Sequence, residues 1–133
     1  MNQTATLIGR IGLSLLFIIA GWGKIAGYAG TQEYMQAMGV PGALLPLVIA
    51  LELGGGLALL AGLGTRWLAL AFAAFSVASG FLFHWDLADT NQTTSLLKNL
   101  AIAGGFLALY AAPASRYSLD ALFARRNTEG ATA

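Results

Sequence analysis

Four ionisable side chains of this sequence, Lys24, Glu52, His84 and Lys98, stand inside or beside long apolar runs, and Asn99 follows the last of them. Glu52 is the sharpest case. A charged group at membrane depth costs about 2.5–3.5 kcal/mol even on lenient insertion scales, so it ordinarily faces other helices and has a partner. The spacing predicts that a Lys24 or Lys98 stem can reach Glu52. The chemistry on offer is a polar pocket made from Lys24, Glu52, His84, Lys98 and Asn99. The competing reading is a salt bridge that only holds helices in register. No metal site is expected: one histidine and loop carboxylates lack the ligand count.

The elements that must position these groups follow from composition. The chain has 133 residues, 57% hydrophobic and 10% charged, with mean hydropathy +0.70. A soluble domain carries about 25% charged residues to keep its surface wet. The outside of this chain must face lipid. The formal net charge of +1 excludes a strong electrostatic case for nucleic acid. With no cysteine there is no disulfide, thiolate site or dithiol redox pair. No phosphate-loop, dinucleotide-binding, nucleophile-elbow or zincin motif is present.

Four apolar runs predict spans at about 5–23, 44–63, 67–83 and 98–113, each long enough to cross a hydrocarbon core of ~30 Å. A cleavable signal peptide is the rival for the first run, but Trp22 and Lys24 stand where small residues would mark cleavage. The chain is therefore read as one all-α membrane domain over 1–133, a four-helix bundle. Thr31 is expected to cap a short outer interfacial helix through Met38, stopped by Gly39 and Pro41. A short amphipathic helix is expected near Leu119–Phe123, with a flexible tail over 124–133.

Helical phase predicts four inward stripes. They are Arg10, Leu13, Phe17, Gly21 and Lys24; Glu52, Gly55, Gly56, Leu59, Gly62 and Arg66; Ala73, Val77, Gly80 and His84; and Lys98, Ala101, Gly105, Leu109 and Ala112. Gly21, Gly55, Gly56, Gly62, Gly80 and Gly105 are expected to let helices approach closely. Arg10 and Arg66 are expected to snorkel to phosphate at the inner end. Arg10, Arg66, Arg116, Arg125 and Arg126 against Lys24 and Lys98 put both termini in the cytoplasm by the positive-inside rule.

Several short motifs occur in order: Arg10-Ile11-Gly12 leading to Gly21-x-x-Lys24, then Gly39-Val40-Pro41 and Glu52-x-x-Gly55-Gly56. Lys98-Asn99 and Arg116-Tyr117-Ser118-Leu119-Asp120 follow. Together they resemble the DoxX family of bacterial inner-membrane proteins, over residues 8 to 123. The resemblance implies a four-helix bundle in the bacterial plasma membrane. It also implies a link to membrane redox complexes, since the family is named for a subunit type tied to thiosulfate:quinone oxidoreductase. Relatives that use cysteine pairs differ from this chain, so thiol chemistry does not carry over.

The resulting expectation is an accessory or quinone-associated subunit of a redox process, with no cofactor required by the sequence. A stand-alone enzyme is the less favoured reading. The alternatives are a homo-oligomeric transporter or channel for a proton or small solute, and a purely structural membrane partner. Partners expected are the lipid bilayer, membrane redox proteins and further copies of the chain.

Overall fold

A computed structural model describes residues 2–132. Helix α1 (Gln3–Ala26) opens on Asn2, whose side chain accepts from the Thr4 amide at 2.9 Å and the Ala5 amide at 3.3 Å. Helix α2 (Tyr28–Ala37) follows after the single residue Gly27. Thr31 is therefore not its cap; its hydroxyl donates to the Gly27 carbonyl one turn back. Nor does α2 simply float on the leaflet. Met35 is buried, and Tyr34 stacks on Phe83 with ring centroids 5.5 Å apart, so α2 roofs one end of the bundle.

The second span, Gly42–Ala61, is continuous but not uniform. A 3-10 turn (Gly42–Leu44) leads into α3 (Leu45–Ile49), then a π-helical segment (Ala50–Gly55), then α4 (Gly56–Ala61). Gly62 and Gly64 take left-handed conformations, φ 75° and 62°, and turn the chain into α5 (Thr65–Phe83). The last span, α6, runs Thr90–Ala111. It starts well before the expected residue 98 because Asp89 caps it, accepting from the Asn91 and Gln92 amides at 2.8 and 3.4 Å. Its first turns are polar, so hydropathy alone does not register them. Helix α7 covers Leu119–Ala131, capped by the Ser118 hydroxyl. It continues through much of the stretch expected to be a flexible tail; Ala133 lies outside the described residues.

The helices pair as α1 against the second span and α5 against α6. Between the pairs stands a cluster of rings. Phe17 and Phe72 are 4.5 Å apart, Phe72 stacks on Phe106 at 5.2 Å, and Phe17 lies 5.6 Å from Phe106. This dispersion-packed septum fills the centre of the bundle. The outer surface stays apolar, with Ile19, Leu47, Leu57 and Leu107 exposed where lipid would cover them.

At the end opposite α2, the tail is locked to the bundle. The Arg10 guanidinium donates to the Tyr117 carbonyl at 2.7 Å and approaches the Leu60 carbonyl at 3.5 Å. Arg10 is 2% exposed, so the expected snorkelling to phosphate does not occur. The carboxylate of Asp120 accepts from the Gly64 amide at 2.8 Å and the Thr65 amide at 3.0 Å, capping α5 from a distant part of the chain. The Asp120 amide in turn donates to the Gly62 carbonyl. The motif Tyr117-Ser118-Leu119-Asp120 is thus a clasp on the turn between α4 and α5.

Candidate functional site

Glu52 sits in the middle of the π-helical segment and is 3% exposed. A π turn adds one residue to the local helical circuit, and such turns recur where a side chain must be re-aimed. It is an uncommon conformation, and hydrophobic phase carries no sign of it. Glu52 points at α1. There Gly21 lets the backbones meet: a Cβ at that position would stand 2.8 Å from the Leu53 amide nitrogen and 3.2 Å from Glu52 Cβ. Farther inward, Gly56 admits Ile18 in the same way.

One turn beyond Gly21, Lys24 completes the contact. Its Nζ donates to Glu52 Oε1 at 3.1 Å and lies 2.8 Å from Oε2. Oε2 has no further hydrogen-bond partner. The lysine side chain is 28% exposed, so the pair is buried on the acid side and open on the basic side. It is the one carboxylate–ammonium contact among the described residues.

Above the pair is a cavity of about 360 Å³ between the second span, α2 and α5. Its walls are mostly apolar: Met35, Leu44, Val48, Phe75 and Phe83 among others, with Tyr34 and Thr31 from α2. His84 also lines it. Gln92 Oε1 lies 2.8 Å from His84 Nδ1, a contact that orients the ring and whose donor and acceptor are set by the ring tautomer. The site therefore offers an ammonium donor, a carboxylate acceptor and an imidazole around an apolar space.

Two of the expected residues are elsewhere. Lys98 is exposed on α6 and makes no ion pair with Glu52, and Asn99 donates to the Ser95 carbonyl at 3.0 Å and packs against Gly80. The reason is rotation. The buried face of α6 is Leu96, Ala103, Phe106 and Leu109, so the expected stripe holds at Leu109 and partly at Gly105 and Ala112, while Lys98 and Ala101 are turned toward the outside. Val77 is likewise exposed on α5, where Ala69, Phe72, Ala73, Ser76 and Gly80 are buried. Gly55 contacts Phe72 and Gly105 contacts Leu13, as packing glycines do, whereas Gly62 is a turn residue against Ser118. Arg66 lies over the Tyr110 ring at 4.8 Å. Sequence reasoning missed the α2 contributions and Gln92, which become neighbours of the site only when α2 folds back and α6 extends.

Taken together, this is an all-α, four-span membrane protein with an ion pair at the floor of an apolar cavity. The sequence model of the DoxX family matches residues 5–85, and the chain belongs to that family. It is 51% identical over 126 residues to the inner membrane protein YqjF of Escherichia coli K12, covering 95% of this chain and 97% of that one. It is 34% identical over 121 residues, 86% of each chain, to the inner membrane protein YphA of the same organism. A shorter match, 31% over 71 residues and 53% of each chain, is to the Bacillus subtilis protein named "Putative oxidoreductase CatD". No solved structure matches the chain significantly.

Proposed function

We propose that this chain is a quinone-associated accessory subunit of a membrane redox process, with the head group held beside Lys24 and Glu52. The observation that carries the reading is the ion pair beneath a largely apolar cavity of about 360 Å³. That volume falls in the range of small-molecule pockets, roughly 300–1,000 Å³. A quinone carbonyl would accept from Lys24 and a quinol hydroxyl would donate to Glu52 Oε2, while the apolar walls take the ring and the start of its tail. The name of the Bacillus subtilis relative agrees with a redox setting. The chain contributes binding groups but no cysteine, so electrons would pass between the quinone and a partner.

The plasma membrane is the expected location, as for the two Escherichia coli relatives, with both termini cytoplasmic. Arg10, Arg66, Arg116, Arg125 and Arg126 gather toward one end and support that orientation. The ring septum of Phe17, Phe72 and Phe106 separates this cavity from the opposite end of the bundle, which favours binding over conduction through one chain.

The test is titration of short-chain ubiquinone and menaquinone analogues into the purified protein in nanodiscs, read by calorimetry and thermal shift. Saturable binding that is lost in Glu52→Gln and Lys24→Met is expected. Equal binding by wild type and both variants, or none by the wild type, removes the proposal.

A further inference from the structure

A second cavity, of about 420 Å³, lies at the opposite end of the bundle, between the start of α5, the end of α6 and the tail clasp. Its polar wall includes Arg10, Arg66, Thr65, Tyr110 and Asp120. Both oxygens of Asp120 are already committed to the Gly64 and Thr65 amides. Among the described residues Arg10 hydrogen-bonds only to backbone carbonyls, its Nε has no partner, and the Thr65 hydroxyl of the same cavity is also unpartnered. Two guanidinium groups therefore face one carboxylate, and the wall carries one excess positive charge. Arg66 is exposed, held over Tyr110 with its Nη2 3.4 Å from the phenol oxygen, and it stands where an incoming anion would be met.

A third space adjoins this one. A groove of about 250 Å³ runs between α1 and α6, walled by Ala5, Gly9, Leu13, Gly105 and Ala108. Thr6, Leu109 and Ala112 line both the groove and the basic cavity, so the two are continuous. Small residues line most of the groove and keep it open; nothing lies within 4 Å of where a Gly9 Cβ would stand. A basic recess that opens into an apolar channel along a membrane-spanning helix matches one ligand chemistry: an anionic head group carrying an acyl chain.

We propose that this end of the bundle binds an anionic phospholipid, with its phosphate in the recess and one acyl chain in the α1–α6 groove. Arg66 meets the phosphate directly, in the bidentate geometry that guanidinium offers. Arg10 acts through its buried charge. The bound lipid completes the neutralisation of Arg10 and seals the seam beside the clasp.

The experiment uses the full chain in nanodiscs of phosphatidylglycerol mixed equally with phosphatidylcholine, released for native mass spectrometry. The wild type should retain phosphatidylglycerol over phosphatidylcholine by about fivefold, the size one lightly screened charge contact supports. Arg66→Gln should abolish the preference and Arg66→Lys restore part of it. Gly9→Leu or Ala108→Leu, from opposite walls, should lower lipid retention by filling the groove. Glu52→Gln should leave it unchanged, which separates this site from the quinone proposal. Equal retention of the two lipids overturns the inference. So does lipid retention that both groove-filling variants leave unchanged, a preference that survives Arg66→Gln, or one that inorganic phosphate competes away as well as lipid does, since that describes a free-anion site.

Discussion

The Arg10 guanidinium and the Tyr117 carbonyl, 107 positions apart in the chain, are joined by a hydrogen bond of 2.7 Å. This contact fastens the tail to the first span through a guanidinium that is itself buried. Arg10→Ala should release the clasp, costing about 2 kcal/mol for a charged hydrogen bond together with the carbonyl it leaves unpaired. Hydrogen exchange in micelles would show faster exchange over Leu119–Ala131 with the α5–α6 pair unaffected. Unchanged exchange there would mean that Asp120 alone holds the tail.

Breaking the ion pair from its two sides should give unequal results. Lys24→Met strands a carboxylate that is 3% exposed and should cost about 3 kcal/mol. Glu52→Gln leaves a lysine whose side chain is 28% exposed and can turn outward, so it should cost about 1 kcal/mol. The double variant should resemble Glu52→Gln alone. Thermal unfolding in one detergent, measured for all four proteins, checks the order.

Two glycines on the same helix should respond with opposite signs. Gly21→Ala puts a methyl group 2.8 Å from the Leu53 amide nitrogen, backbone that cannot swing aside, and should separate α1 from the second span. The expected loss is about 2 kcal/mol, as for overpacked sites. Gly23→Ala meets nothing within 4 Å and should be neutral or stabilising by up to about 1 kcal/mol through helix propensity. Melting temperatures of the two variants give the comparison.

The turn between α4 and α5 offers a matched pair as well. Gly62 and Gly64 both have positive φ, 75° and 62°, so alanine at either costs about 1 kcal/mol of backbone strain. At Gly64 the surrounding space is open, whereas a Cβ at Gly62 would collide with Ser118 and press on Arg10. Gly62→Ala should therefore be the more damaging by about 1–3 kcal/mol. Chemical denaturation in mixed micelles can resolve that difference.

Asp120→Ala should uncap α5. Losing the acceptor for the Gly64 and Thr65 amides removes about 1–2 kcal/mol, the usual value of a capping side chain. Its signature is faster amide exchange at Gly64 and Thr65 before any change at Phe72.

The sequence by itself determined the class. Too few charges to wet a globule, and four apolar runs of spanning length, leave a helical membrane bundle as the way to satisfy the backbone in lipid. It also singled out Glu52, with Lys24 or Lys98 as its partner, because the cost of burying a carboxylate in hydrocarbon demands a nearby cation. Tertiary structure alone decided which cation. Lys98 has the right chemistry and an outer position, but the rotation of α6 is set by Leu96, Phe106 and the ring septum, and that packing turns Lys98 away. Helical phase put Arg10 on an inward stripe, but what it meets there was out of reach of local pattern. Its partners belong to residues 60 and 117, which meet it only after Gly62 turns the chain and Asp120 pins the tail. Periodicity reports the direction in which a residue faces within its own helix; the neighbour it finds there depends on how separate helices pack.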